Sequence, residues 1–177
     1  MASVSDEVLQ ALEDLRSRGA EPRRSAHAFL VDIEANEAIE AIVESLGSTS
    51  WAYRIRLVAV LIEIGAPALP ALESAVAHGV WYVRAAAVEA LSQIRGALVF
   101  ELLLPLLRDR SIEVRKAAGR GMARACETND LEVIMDSLRP LGREHLLPFL
   151  RVLRDEKEEL YAQILSLRPE LGPGAMR

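Results

Sequence analysis

The chain has 177 residues, of which 51% are hydrophobic and 5% aromatic, so it can bury a sizeable core of small and aliphatic side chains. Its net charge of −5 argues against nucleic-acid or anionic-membrane binding, because both require a basic surface. A single cysteine excludes an internal disulfide and a multi-cysteine zinc site. No apolar stretch has the length of a membrane span and the start lacks the pattern of a signal peptide, so we expect a cytoplasmic protein.

In chain order, a helix over residues 5–18 precedes an array that repeats every 30 or 31 residues. Trp51 lies three positions before Arg54, and Trp81 stands in the same relation to Arg84. Arg115 follows Arg84 by 31 residues, and Arg23 precedes Arg54 by the same number. This spacing defines four related units.

Each unit contains two apolar stripes at helical spacing, which predicts a pair of helices, A and then B. The A stripes are Ala26, Leu30, Ile33; Leu57, Leu61, Ile64; Ala87, Leu91, Ile94; and Ala118, Met122, Ala125. The B stripes are Ile39, Ile42, Leu46; Leu69, Leu72, Val76; Phe100, Leu103, Leu107; and Leu131, Ile134, Leu138. A fifth, less regular pair over 143–167 predicts a C-terminal cap, as the first helix predicts an N-terminal one. We therefore expect one domain over 1–167, with clear repeats at about 22–140, and a disordered tail over 168–177.

The clearest unit begins Leu107-Arg-Asp-Arg-Ser-Ile-Glu-Val-Arg-Lys-Ala-Ala118. Its aspartate, followed by Val-Arg and small residues, resembles the HEAT repeat in the short bacterial form of phycobilisome bilin lyases. Val83-Arg84 repeats part of this pattern, with His78 in the place of the aspartate. The resemblance covers roughly 20–140 and implies an all-α fold, a right-handed α-α superhelix of about five helix pairs with an N-terminal capping helix. It says little about activity, because one such fold serves many functions.

The most regular polar feature is the arginine column: Arg23, Arg54, Arg84 and Arg115. In HEAT proteins the equivalent arginines are structural, so the resemblance implies a ladder of hydrogen bonds to carbonyls or acidic groups of the neighbouring unit. The alternative is an anion-binding stripe.

Four aromatic residues gather at the starts of two A helices: Trp51, Tyr53, Trp81 and Tyr82. They either pack between units or form an exposed aromatic patch suited to anchoring a partner.

The B-helix residues opposite the core stripes form a predicted groove with an acidic and partly apolar floor. We expect it to bind a partner protein through Glu40, Glu44, Leu98, Glu101, Leu102, Glu132, Val133 and Asp136. An ordinary solvated face is the alternative for the acidic residues.

Nothing in the sequence predicts catalysis, a metal site or a cofactor. His27, His78 and His145 lie in different units without a second ligand at zinc spacing. Cys126 has no histidine in its unit to act as a base, which favours an inert buried thiol.

The leading interpretation is a non-catalytic protein-interaction scaffold that binds a basic or partly apolar segment in the B-helix groove. The alternative is a bilin-lyase-like or other enzyme-accessory subunit that handles a cofactor or its carrier protein. A DNA glycosylase of similar architecture is disfavoured, because its groove would need to be basic.

Overall fold

The structure, a computed structural model, describes residues 4–32, 36–94, 99–126 and 131–172. Within these ranges the chain forms α-helices and short 3-10 turns and contains no strand, which confirms the all-α prediction. Its contacts divide it into two compact units, Met1–Ile94 and Arg95–Arg177. The single domain over 1–167 stays a prediction.

The first unit contains α1 (Asp6–Arg16), α2 (Ala20–Val31), α3 (Asn36–Ser45), α4 (Trp51–Ile64), α5 (Leu69–Ala75) and α6 (Trp81–Ile94). The second contains α7 (Val99–Leu103), α8 (Ile112–Ala125), α9 (Leu131–Leu138), α10 (Arg143–Glu156) and α11 (Glu158–Leu167). After the capping helix α1, the even-numbered helices are the predicted A helices and the odd-numbered ones the B helices. Five helix pairs are thus present among the described residues.

Of the 23 stripe residues that the structure describes, 18 are buried, as the periodicity predicts, and five are half-buried: Ile64, Leu69, Val76, Ile94 and Leu131. Ile33 lies outside the described residues. Leu61, Leu72 and Leu103 are each 0% exposed. In the first unit α1 packs on α2, while α4 and α5 pack on α6. In the second unit α8 packs on both α7 and α10, and the rings of Phe100 and Phe149 meet edge to face with centroids 6.3 Å apart. Burial of these stripes is what holds the helices in pairs.

Local signals set the bounds of α4. The hydroxyl of Ser50 accepts a hydrogen bond from the Tyr53 amide at 3.4 Å and so caps the first turn. Gly65 ends the helix with φ of 72°, a conformation that favours glycine. The chain then passes through a 3-10 turn over Ala66–Ala68 into α5. Ser50 and Gly65 thereby separate the A helix from its neighbours.

Two expectations need correction. The third B helix is α-helical only over Val99–Leu103 and continues as a 3-10 helix over Leu104–Arg108, because Pro105 lacks the amide that an α-helix needs. The predicted disordered tail is wrong for residues 168–172: Pro169–Leu171 form a 3-10 turn, and Leu171 is 1% exposed. Arg168 Nη1 also donates to the Leu138 carbonyl at 2.9 Å, which holds this segment against the end of α9. Residues 173–177 lie outside the described residues.

No single helix within the described ranges combines the length and the apolarity of a membrane span. The segments Trp51–Ile64 and Ala66–Ala75 reach that length and composition only when taken together, and a bend of 116° separates them.

Candidate functional site

Charge is sorted between the two kinds of helix. The described α-helical segments of the B helices carry nine acidic residues and no basic one, and the 3-10 continuation of α7 adds Arg108. The A helices carry twelve basic and seven acidic residues. The acidic residues of the B helices are Glu37, Glu40, Glu44, Glu73, Glu101, Glu132, Asp136, Glu158 and Glu159. All are exposed except Glu73, which is half-buried. The net charge of −5 is therefore distributed unevenly: the B helices are acidic and the A helices are net basic.

The B helices of the first unit border a concave pocket of about 440 Å³. Glu40 and Glu44 line it from α3, and Ser74 and His78 line it from α5 and the turn that follows. Its apolar lining is Val43, Ala71, Ala75 and Val83. The pocket joins carboxylates to an apolar surface, a combination that suits a long cationic side chain.

The remaining predicted groove residues belong to the second unit. Glu101 and Glu132 are exposed, Val133 is 53% exposed and Leu102 is half-buried. Asp136 accepts a hydrogen bond from Arg139 Nη2 at 2.7 Å, so its charge is partly compensated. Leu98 lies outside the described residues. In both units, then, acidic B-helix residues occur with solvent-accessible apolar ones.

The arginine column has one recurring geometry. Each guanidinium lies near the start of an A helix and donates to backbone carbonyls of the preceding turn. Arg84 Nη1 bonds the carbonyls of His78 at 2.8 Å and Gly79 at 3.0 Å. The equivalent acceptors are Ser17 and Arg18 for Arg23, Ser48 for Arg54, and Asp109 and Arg110 for Arg115. The column thus ties each A helix to the end of the preceding helix.

The predicted aromatic patch divides into exposed and buried members. Trp51 is 70% exposed and Trp81 is 45% exposed. Tyr82 is half-buried: its ring contacts Trp81 edge to face at 5.6 Å and Arg54 at 4.5 Å, and its hydroxyl donates to the Gly47 carbonyl at 3.1 Å. The two tryptophans are the surface-accessible part of this set.

Tyr53 is a core residue and does not belong to an exposed patch, so of the two alternatives packing applies at this position. It is 2% exposed, and the Arg16 guanidinium lies 4.5 Å from the centroid of its ring. Its position in the repeat matches Val83 and Val114, which are also buried. That match is the sequence signal that could have identified Tyr53 as a core residue. Its buried hydroxyl has no hydrogen-bond partner among the described residues.

The histidines and the cysteine occupy separate environments. His27 Nε2 lies 3.0 Å from Glu63 Oε1, His78 Nδ1 accepts from the Val80 amide at 3.1 Å, and His145 lies 3.5 Å from Glu144. Burial raises the pKa of the Cys126 thiol to about 12, although nearby Lys157 acts in the opposite direction. A thiol with this pKa is protonated near neutral pH and therefore a weak nucleophile. Across the described part of the chain, no group of three or more His, Cys, Asp or Glu residues could hold a metal ion.

The comparisons with known proteins found a family, a curated relative and a solved structure that are similar to this chain. The family model described as HEAT repeats matches residues 39–123. The bilin biosynthesis protein RpcF of Synechococcus sp. (strain WH8020) is 31% identical over 144 residues, which are 80% of this chain and 66% of that protein. This chain therefore spans slightly less than two thirds of that relative's length. A crystal structure of an engineered protein from the Northeast Structural Genomics Consortium is 20% identical, with a TM-score of 0.44 over 90% of this chain and 77% of that one.

The helix pairs, the 30- to 31-residue period and the family match agree over the same region. Residues 39–123 of the chain match the HEAT-repeat family.

Proposed function

We propose that the chain is a non-catalytic scaffold that binds a basic, partly apolar segment of a partner protein on the exposed faces of its B helices. The observation that carries this proposal is the charge sorting: nine acidic and no basic residues on the described α-helical segments α3, α5, α7, α9 and α11. Charges of one sign on one set of surfaces raise the encounter rate with an oppositely charged partner.

The pocket beside Glu40 and Glu44 supplies a docking point for such a partner. A lysine or arginine side chain has an aliphatic stem and a charged head. The stem would cover the apolar lining at Ala71 and Ala75, while the head would pair with the two carboxylates at the rim. Acidic groups alone would attract many cations, whereas the apolar lining selects a long side chain over a small ion.

The second unit offers related chemistry. Val133 is exposed beside Glu132 on α9, and Leu102 is half-buried beside Glu101 on α7. An apolar group on an otherwise acidic surface gains from burial against an apolar group of a partner. A segment that alternates basic and apolar residues would satisfy both kinds of group.

Affinity capture from the native host, followed by mapping of the bound segment in each captured protein, tests this proposal. We expect a segment rich in Lys or Arg with interspersed apolar residues, whose affinity falls as salt concentration rises. An acidic segment, or an affinity that does not change with salt, would contradict the proposal.

A second candidate is an accessory role in bilin attachment or biosynthesis. The observation that favours it is the 31% identity to a protein named for bilin biosynthesis. The exposed Trp51 and Trp81 could then contact a tetrapyrrole by stacking. Co-expression with a bilin-acceptor protein and its bilin tests this role, through the visible absorbance of the purified acceptor. Absorbance that depends on this chain, and falls with Trp51→Ala or Trp81→Ala, would favour the accessory role over the scaffold.

A further inference from the structure

The first unit contains a second pocket whose charge is opposite to that of the B helices. This pocket, of about 400 Å³, is lined by Leu15, Ala20, Arg23, Arg24, His27 and Arg56. Three of these six side chains are guanidiniums, and no carboxylate is among them. Although the chain has a net charge of −5, no residue that lines this pocket is acidic.

Two of the guanidiniums are already held in place by the backbone. Arg23 Nη1 donates to the carbonyls of Ser17 at 3.0 Å and Arg18 at 2.6 Å, and Arg56 Nη1 donates to the Leu15 carbonyl at 2.7 Å. A guanidinium has five N–H donors, so these bonds leave Nε and Nη2 of both side chains for a ligand. Arg23 and Arg56 form no ion pair within the part of the chain that the structure describes. A bound anion would meet arginines whose conformational freedom is already restricted.

The repeat does not account for this pocket. Arg23 belongs to the arginine column, but Arg24 and Arg56 do not. The positions equivalent to Arg24 and Arg56 are Ala85 and Ala86 in the third unit, and Lys116 and Ala117 in the fourth. The additional arginines are therefore not needed to build a HEAT-like pair.

The carboxylates nearest in sequence compensate the pocket only weakly. Glu21 pairs with Arg24 at 2.9 Å, but both side chains are about three-quarters exposed, with values of 77% and 74%. An ion pair so open to water is readily exchanged for a stronger partner. Glu63 lies 3.0 Å from His27 Nε2, so this carboxylate pairs with the histidine and not with one of the three arginines.

We propose that this pocket binds a phosphate group. A phosphate monoester carries up to two negative charges and three terminal oxygens, so it can accept bidentate hydrogen bonds from more than one guanidinium at once. A single carboxylate has half that charge and would leave at least one of the three arginines without an anionic partner. The group is supplied either by a small phosphate ester or by a phosphorylated side chain of a partner.

Calorimetric titration at constant ionic strength tests the proposal with three probes: inorganic phosphate, glycerol phosphate and a phosphoserine peptide. The variants are Arg24→Gln and Arg56→Gln, and the matched control is Arg18→Gln, an exposed arginine of the turn before α2 that does not line the pocket. Because Arg56 also bonds the end of α1, Arg24→Gln serves as the variant that removes charge without removing a backbone contact.

We expect wild-type binding of at least one probe, with a Kd that rises about tenfold or more in each pocket variant and stays unchanged in Arg18→Gln. The probe that binds most tightly identifies the source of the phosphate group. The proposal would be overturned if the wild type bound none of the probes more tightly than it binds chloride. It would also be overturned if the wild type and all variants bound the probes with equal affinity.

Discussion

Gly119 in α8 lies directly against the backbone of Pro148 in α10. A Cβ placed on Gly119 would come within 2.7 Å of the Pro148 carbonyl carbon and 2.8 Å of the Phe149 amide nitrogen. Both contacts are to backbone atoms, which cannot rotate away as a side chain would. The absence of a side chain at Gly119 thus allows the close packing of the two A helices in the second unit.

Replacing Gly119 by Ala should lower stability, although alanine is the better helix former. The intrinsic helical gain of about 1 kcal/mol is outweighed by a backbone clash, and we expect a net loss of about 1–3 kcal/mol in urea unfolding. Gly79→Ala is the matched control, because a Cβ at Gly79 meets nothing within 4 Å. Equal stability of the two variants would show that α8 and α10 are not so closely packed.

Replacing Leu103 by Ala should lower the free energy of unfolding by about 2–5 kcal/mol, because it leaves a cavity at a fully buried position. Leu9→Ala is the control, since Leu9 is 53% exposed, and its effect should stay within about 0.5 kcal/mol. Chemical denaturation of both variants measures the difference. A loss below about 1 kcal/mol for Leu103→Ala would mean that the B stripes are misassigned.

Arg84→Ala should destabilise the first unit. Arg84 is 5% exposed, and its removal deprives the carbonyls of His78 and Gly79 of a donor. Hydrogen bonds from a charged donor in such a setting contribute about 1.5–3 kcal/mol, and we expect a loss of that order in thermal or urea unfolding. Arg139→Ala, whose side chain is 81% exposed, should change stability by less than about 1 kcal/mol. Unchanged stability of Arg84→Ala with lost partner binding would instead favour the anion-binding stripe.

The Cys126 thiol should make stability depend on pH in the alkaline range. Burial raises its pKa from the ordinary 9.0 to about 12, so between these values the unfolded chain is ionised at this thiol while the folded chain is not. The folded state then binds more protons than the unfolded state, and stability falls as pH rises through this window. Urea unfolding at several pH values up to 11 should show a steeper decline for the wild type than for Cys126→Ala. Parallel declines would mean that the thiol is not desolvated.

The repeat period predicts most of the core, because each apolar stripe recurs in four units. A residue that is wrongly assigned to the core in one unit would disagree with the equivalent residues of the other three. It places Leu61, Leu72 and Leu103 correctly at 0% exposure. The burial of Leu171 could not be predicted in this way, since a three-residue 3-10 turn is too short to show a period. Its burial depends on tertiary contacts that follow from the fold rather than from local sequence.

The candidate site is predicted less completely than the core. The acidic character of the B helices follows directly from the sequence, but the pocket beside Glu40 requires the packing of α3 against α5. Residue type and position at the start of an A helix group the four aromatic residues without deciding which are exposed, whereas the repeat position of Tyr53, shared with Val83, indicates that it is buried. The arginine pocket combines side chains from α2 and α4 and was not predicted, because Arg24 and Arg56 lie 32 residues apart.

The most direct test of the central claim is the binding of a captured partner to the charge-reversed chain Glu40→Lys/Glu44→Lys. Its matched control is Glu7→Lys/Glu13→Lys, which changes the net charge equally but on exposed positions of α1. Surface plasmon resonance should show an association rate reduced about tenfold for the pocket variant and nearly unchanged for the control, with both variants melting close to the wild type. Equal association rates for the wild type, the pocket variant and the control would contradict binding at the B helices. The same conclusion would follow if a further variant, Trp81→Ala, were the one that lost binding.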